Sequence, residues 1–455
     1  MSMIALNSVS FQYESSPEPV FTDLTLSIDT AWKTGLVGRN GRGKSTLLSL
    51  ISGAIEPAGG SVERPVPAAL FPMPVHDPGA AAHDVIRRLI APYREWEAEM
   101  ERLLKSGREE DLSAYGEIAQ AYERHHGYTI DAMIERECAE LGLGAPMLAR
   151  PVSSLSGGEQ TRLMIAALFL KTDAFPLLDE PTNHLDMNGR SALADYLSHK
   201  NGFIVVSHDR SFLDGCCDHI VSLNRSDLRI FPGNYTAWNL QMRVEEETER
   251  ARSANLAREI TALEKAARRQ RTWSAVTEKE KKSAPDSGFV SHKAAKMMKR
   301  ALSNEQRVEK HLEEKKTLLK NAETVRPLIM SEAEGAPDIV LSVENIGITI
   351  GGRPIIRDLS FTLRRGERLA LIGDNGSGKT TLLRMLRGEL QPESGAFHIP
   401  RYLEVAHGLQ HPLWASGMLH EHLRHAGIDE TRFRIIMGAF GIQGDIFDRP
   451  LETFS

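Results

Sequence analysis

Two eight-residue stretches of this chain have the make-up of a phosphate cradle. They are Gly38-Arg39-Asn40-Gly41-Arg42-Gly43-Lys44-Ser45 and, 335 positions later, Gly373-Asp374-Asn375-Gly376-Ser377-Gly378-Lys379-Thr380. Glycines at this spacing let backbone N–H groups curl around phosphate oxygens, and a helix opening at the lysine adds its positive dipole end. Lys44 and Lys379 then reach the outer phosphates of ATP. The hydroxyls of Ser45 and Thr380 suit Mg2+, and Thr46 and Thr381 follow in the first helical turn. The flanks repeat in the same register: Val20-Phe-Thr-Asp-Leu24 matches Ile355-Ile-Arg-Asp-Leu359, and Ile55-Glu-Pro57 matches Leu390-Gln-Pro392. A duplicated strand-turn-helix unit is far stronger evidence than a lone motif, and it predicts two nucleotide-binding domains of α/β class.

The elements that position this chemistry are legible around the first loop. Val37 and the apolar residues before it read as a buried strand, and Ser45-Thr-Leu-Leu-Ser-Leu50 opens a helix. Downstream come Leu155-Ser156-Gly157-Gly158-Glu159-Gln160, then an apolar strand ending in two carboxylates, Phe175-Pro-Leu-Leu178-Asp179-Glu180, then Ile204-Val-Val-Ser-His208. In this order the motifs resemble those of the ATP-binding-cassette family. The resemblance implies that Asp179 joins the magnesium shell, Glu180 polarises the attacking water and His208 senses the γ-phosphate, roles compatible with general-base chemistry. It also implies that the signature Ser156, Gly157, Gly158 and Glu159 closes over the ATP of the other cassette. Tyr13 stands where the family stacks an aromatic on adenine, although a half-buried strand residue would look the same. Gln410 is available as the magnesium-sensing glutamine of the second cassette, whereas Met73 occupies that place in the first and a thioether cannot do the job. Ile350 stands where Tyr13 does.

Composition narrows the class. With 455 residues, 41% hydrophobic, the chain can fill two or three cores. No apolar run approaches the length of a membrane span, and Met1-Ser-Met-Ile lacks the basic start of a secretory signal. Cys138, Cys216 and Cys217 have no metal-ligand spacing, so a cytoplasmic location is expected. Net charge is -6, yet residues 265–300 hold eleven Lys or Arg against three acids, a local excess of +8. A charge run alone is usually a solvated helix face. Here it falls between the two units, where Leu256, Ile260, Leu263 and Ala267 mark one helix face, a second helix follows less regularly, and Ser283-Ala-Pro-Asp-Ser-Gly288 breaks the pattern. The expected organisation is a first cassette over 1–237 with a helical arm at about 84–142, a helical hairpin over 238–325, and a second cassette over 338–455.

Two cassettes on one chain around a charged hairpin resemble the ABC-F translation factors. The resemblance implies ribosomal RNA and P-site tRNA as partners, cassettes that pair within a monomer, and no membrane partner. Arg271, Trp273, Lys281, Lys282, Phe289, Lys293, Lys296, Lys299 and Arg300 are the expected RNA-contacting residues, a basic and partly apolar set suited to phosphates and loops. The stretch Asp286–Arg300, with Phe175–Glu180 and Gly202–His208, looks like the Lsa-type antibiotic-resistance branch. That implies protection of the ribosome from lincosamides, streptogramin A compounds or pleuromutilins. A housekeeping translation factor and a transporter ATPase subunit are the competing expectations.

Arg150-Pro-Val-Ser-Ser-Leu-Ser156 aligns with Arg449-Pro-Leu-Glu-Thr-Phe-Ser455 at an offset of 299, so the first cassette has 36 more residues between loop and signature. The sequence stops at the first residue of the second signature. The expectation is a partial chain that binds nucleotide yet turns over little.

Overall fold

A computed structural model describes the chain apart from residues 1, 15–18, 40, 107, 225–227, 281–295, 297–298, 301, 304–305, 312–336, 402, 410–413, 415, 441, 443–446 and 452–455. It divides into two compact units. One comprises Met1–Ala31, Ser45–Cys216 and Val325–Ser455, the other Trp32–Lys44 and Cys217–Thr324.

In the first unit β1 (Met3–Phe11) pairs antiparallel with β2 (Phe21–Asp29), and β3 (Lys33–Gly38), which belongs to the other unit, leads through the first loop into α1 (Lys44–Ser52). β4 (Gly59–Glu63) completes a three-stranded sheet of order β2-β1-β4. β5 (Ala68–Phe71) is followed by α2 (Ala82–Ile90), α3 (Tyr93–Ser106), α4 (Glu109–Arg124), α5 (Ile130–Glu140) and the short α6 (Ala145–Leu148). The stretch expected to be helical is therefore four successive helices, of which α3 and α4 pack on each other. Tyr93, Trp96 and Tyr122 meet edge to face at their base, and the Tyr93 hydroxyl donates to the His125 carbonyl at 2.6 Å.

α7 (Gly157–Leu170) is apolar almost all round and buried, with α2 and α5 packed on it, as expected of a helix covered on several sides. β6 (Phe175–Asp179) and β7 (Phe203–Val206) run parallel to β5 and to each other, with Leu177 opposite Ile204. Both are continuous apolar runs, the pattern of strands covered on both faces. Between them α8 (Met187–Ser198) leaves the carboxylate end of β6, and α9 (Arg210–Cys216) follows β7.

In the second unit β3 runs parallel to β8 (His219–Leu223), and β8 pairs antiparallel with β9 (Leu228–Pro232). α10 (Tyr235–Glu280) then continues for 46 residues, starting three residues before the boundary expected at 238. Leu256 and Ile260 are buried on it. The helical residues 306–311 lie against it, with His311 Nδ1 3.5 Å from Glu259 Oε2. The expected turn at 283–288 falls outside the described residues.

The second cassette belongs to the first unit. β10 (Ile339–Ile350) sits between β11 (Arg353–Arg364) and β12 (Ser394–His398), followed through the second loop by α11 (Lys379–Leu386), then α12 (Leu419–His425) and α13 (Glu430–Ala439). Its core is Leu341, Val343, Ile346, Ile348 and Met385. The duplication extends to backbone irregularities. Among the register breaks of each hairpin is one at the matching place, between Leu6 and Val9 and between Val343 and Ile346, with Ser8 and Asn345 at positive φ. A hydroxyl accepts from the bulged N–H in both, Thr25 from Ser8 at 3.2 Å and Ser360 from Asn345 at 2.8 Å.

One expectation fails. The strand predicted ahead of the second loop is not formed, and Leu369, Leu371 and Ile372 are exposed without a ladder. The physical reason is partnership: β3 draws its ladder from β8, and no described residues supply the equivalent beside 369–372.

Candidate ATP-binding site

The first loop turns between β3 and α1. Gly41 and Gly43 lie at φ 76 and 87, and their counterparts Gly376 and Gly378 at φ 80 and 96, where a side chain would be strained. A Cβ on Gly38 would meet the Leu223 carbonyl oxygen at 2.7 Å, so strand pairing itself demands glycine there. Lys44 donates to the carbonyls of Gly38 at 2.8 Å and Arg39 at 3.2 Å; Lys379 donates to those of Gly373 at 2.6 Å and Asp374 at 2.8 Å. The two ammonium groups thus hold the same pose. Asn40 lies outside the described residues.

Tyr13 is near the start of α1: its hydroxyl is 3.0 Å from Thr46 Oγ1, and its ring meets Phe11 edge to face at 4.9 Å. Ile350 is exposed, and Met73 is buried. Ser45 and Asp179 are hard oxygen donors of the kind Mg2+ takes, which fits the expected metal shell; Thr380 is exposed at the head of α11, and Gln410 lies outside the described residues.

The strand ends come together. Glu180 follows β6 at φ 49, its N–H donating to the Val206 carbonyl at 2.9 Å, and His208 Nε2 stands 3.4 Å from Glu180 Oε1. The turns after β6 and β7 are tied by the buried hydroxyls of Thr182 and Ser207 at 2.9 Å. A carboxylate held against an imidazole at the C-terminal ends of parallel strands can orient a water and take its proton.

The signature opens α7 with a capping box. The Ser156 N–H donates to Glu159 Oε2 at 2.7 Å, and the Glu159 N–H donates to Ser156 Oγ at 3.3 Å. Burial pushes the Glu159 carboxyl up, but the Ser156 bonds together with Arg150 and Arg162 outweigh it and leave it below the usual range.

The structure joins the turn after β6, next to this signature, to the second loop. The Asn375 side chain donates to the His184 carbonyl at 2.7 Å, the Asn375 N–H to Asp186 Oδ2 at 3.3 Å, and Asn188 to Asp374 Oδ1 at 3.3 Å. A methyl group on Gly158 would lie 3.9 Å from Asn375 Nδ2. Asp186 also caps α8 by accepting from Gly189 at 2.8 Å. That bond, then the one from Asn375, holds its carboxyl below the usual aspartate range against the cost of burial. His184, Asp186 and Asn188 were missed as site residues. Asp186 alone carried a local signal, as a helix cap just after the carboxylate strand.

Of the basic linker set, Lys296, Lys299 and Arg300 are exposed in helical residues; Arg271 and Trp273 belong to α10, without described side chains; Lys281, Lys282, Phe289 and Lys293 lie outside the described residues. Among the described residues no helix is long and apolar enough to cross a membrane.

Comparison with known proteins agrees with this geometry. The family model described as ABC transporter matches residues 21–183 and 356–423, together just over half of the chain. ATP-binding protein Uup of Escherichia coli is 30% identical over 90% of this chain and 61% of its own length. Probable ATP-binding protein YheS of Escherichia coli is 29% identical over 98% and 67%. Energy-dependent translational throttle protein EttA of Haemophilus influenzae is 30% identical over 83% and 65%. The chain spans about three-fifths to two-thirds of the length of these relatives. With its twice-used phosphate loop, its carboxylate strand and a signature lying beside the second loop, the chain belongs to the ABC transporter family, whose cassettes are ATP-binding, ATPase domains.

Proposed function

We propose that this chain is an ABC-F protein that couples ATP binding and hydrolysis to action on the ribosome. The observation that carries the reading is the contact of Asn375 with His184 and Asp186 beside Gly158. The turn next to the signature meeting the opposite phosphate loop on one chain suits two cassettes that share nucleotides without a membrane partner. In this reading the loop N–H groups and Lys44 or Lys379 bind phosphate, Ser45 and Asp179 or Thr380 and Gln410 hold Mg2+, Tyr13 stacks on the base, and Glu180 accepts a proton from a water oriented with His208. Bound Mg2+ supplies charge neutralisation between the outer phosphates.

The target follows from the linker. A stretch with a charge of +8 in a chain of net charge -6 suits RNA phosphates, and the throttle relative is named for translation. The segment 286–300 favours the narrower reading, protection of the peptidyl-transferase region from lincosamide, streptogramin A or pleuromutilin antibiotics, with ATP permitting binding to the ribosome and hydrolysis permitting release. A housekeeping translation factor would share every ATP residue.

The test is Glu180→Gln in the full-length protein. ATP should now hold it on ribosomes, and failure to accumulate there with nucleotide binding intact would overturn the translation reading. Drug susceptibility of a sensitive host separates protection from housekeeping.

A further inference from the structure

We infer that Arg162 is a positioning residue for ATP turnover: it pins the signature to the end of α5 and so sets how the signature and the turn beside it meet the second phosphate loop. This rests on the ATP-binding reading above and deepens it. Arg162 stands just over one turn into α7, and a long side chain on a helix leans back toward the N-terminus. Its Nε donates to the Gly158 carbonyl at 3.3 Å, and its Nη1 donates to the Leu141 carbonyl at 2.9 Å.

The Leu141 carbonyl needs this donor. α5 closes with Gly142 at φ 71, the Gly142 N–H donating to the Ala139 carbonyl at 2.9 Å and the Leu143 N–H to the Cys138 carbonyl at 2.8 Å. That cap does not serve the carbonyl of Leu141, a buried residue, and Arg162 takes it instead. A Cβ on Gly142 would lie 3.3 Å from Nη1, so the backbone closes tightly around the guanidinium. A planar fork can hold two carbonyls at a fixed angle, which a lysine ammonium cannot.

From Gly158 the contacts continue to the second loop. A Cβ on Gly157 would lie 3.3 Å from the His184 side chain, and one on Gly158 would lie 3.1 Å from the His184 carbonyl oxygen. Packed this closely, the signature and residues 184–185 move as one block. The same His184 carbonyl accepts from the Asn375 side chain at 2.7 Å. Glu159 and Asp186, the carboxylates within electrostatic reach of Arg162, belong to this block as well.

Loss of Arg162 should therefore act on turnover rather than on nucleotide binding. The loop glycines and lysines that cradle phosphate are untouched, whereas in the reading above the signature acts only once the cassettes have closed on ATP.

The experiment measures kcat and KM for ATP in the full-length protein, with turnover counted per molecule that binds a fluorescent ATP analogue, so that misfolded protein drops out. Arg162→Ala should lose about tenfold in kcat while KM stays within about twofold. Arg162→Lys keeps the charge and can reach one carbonyl, and should lose only about threefold. Should Arg162→Ala leave no folded protein, the lysine variant carries the same comparison. A double variant with Asn375→Ala should be about as slow as the slower single variant, because both substitutions act on one block. A rise in KM at unchanged kcat, no loss from either Arg162 substitution, an inert Asn375→Ala, or losses that multiply in the double variant would overturn the positioning role while leaving ATP binding in place. An unaltered protein that binds no ATP analogue would sink the ATP-binding reading itself, and this role with it.

Discussion

The two phosphate loops share a pair of glycines at matching positive φ and a lysine bonded to the same two loop carbonyls, and they stand in very different surroundings. The first is preceded by β3, whose Leu36 and Val37 are buried and whose ladder comes from β8. The second follows Leu369, Leu371 and Ile372, which are exposed and unpaired in any strand. The turn is a local structure: glycines at positive φ and a lysine bonded to its own carbonyls set its shape with little help. The strand is not, since its N–H and C=O groups need neighbours contributed from far along the chain. The comparison therefore separates what a motif can do alone from what it borrows.

The largest expected effect comes from a contact of the first cassette whose acceptor position is apolar in the second. Glu137 on α5 is buried, accepting from the Tyr196 hydroxyl at 2.7 Å and Lys200 Nζ at 2.6 Å, and by the offset of 299 its counterpart on α13 is Ile436. Burial, with Glu137 beside it, pushes the Tyr196 phenol well up, so it stays a donor. Glu137→Ala leaves a buried hydroxyl and a mostly buried ammonium without their acceptor, a loss of about 2–3 kcal/mol. Urea unfolding should show it, with Glu137→Gln milder. A change below about 0.5 kcal/mol, the size of an ordinary surface substitution, would mean that this clasp contributes nothing to the first cassette's stability.

The next probes the join between the cassettes. Asn375→Ala removes the bond to the His184 carbonyl but not the fold of either side. ATP turnover of the full-length protein should fall about tenfold, near 1.4 kcal/mol, with thermal stability little changed. Unchanged turnover would make the contact incidental, and the second loop would then differ from the first only in its surroundings.

Legibility followed the same division. The loops, the capping-box signature and the carboxylate strand could be read because each is a contiguous run whose spacing states its own geometry. The paired bulges at Ser8 and Asn345 could not, since a bulge is a mismatch between two strands rather than a property of one. The docking of Asn375 on residues 184–188 was equally silent, because 189 positions separate Asn375 from Asp186 and either side reads as an ordinary loop. The missing strand at 369–372 was misread for the complementary reason: its residues are apolar enough, and only its partners are wanting.

The smallest expected effect is a pH dependence at that join. Asp186 is held below the usual aspartate pKa of about 4 by Gly189 and then Asn375 N–H groups, so the unfolded chain takes up this proton first. The sign follows: the contribution is complete above the unfolded value and is lost as pH falls through the lower folded value. Comparing the protein with Asp186→Asn across that acidic window, the stability gap should close on acidification and stay constant near neutrality. This carboxylate is only half-buried, so the gap is partly screened and stays under about 1 kcal/mol. In the Asn375→Ala background part of it should disappear if the second loop supplies one of the two donors. A gap identical in both backgrounds would assign the whole effect to the cap of α8 and remove the second loop from it.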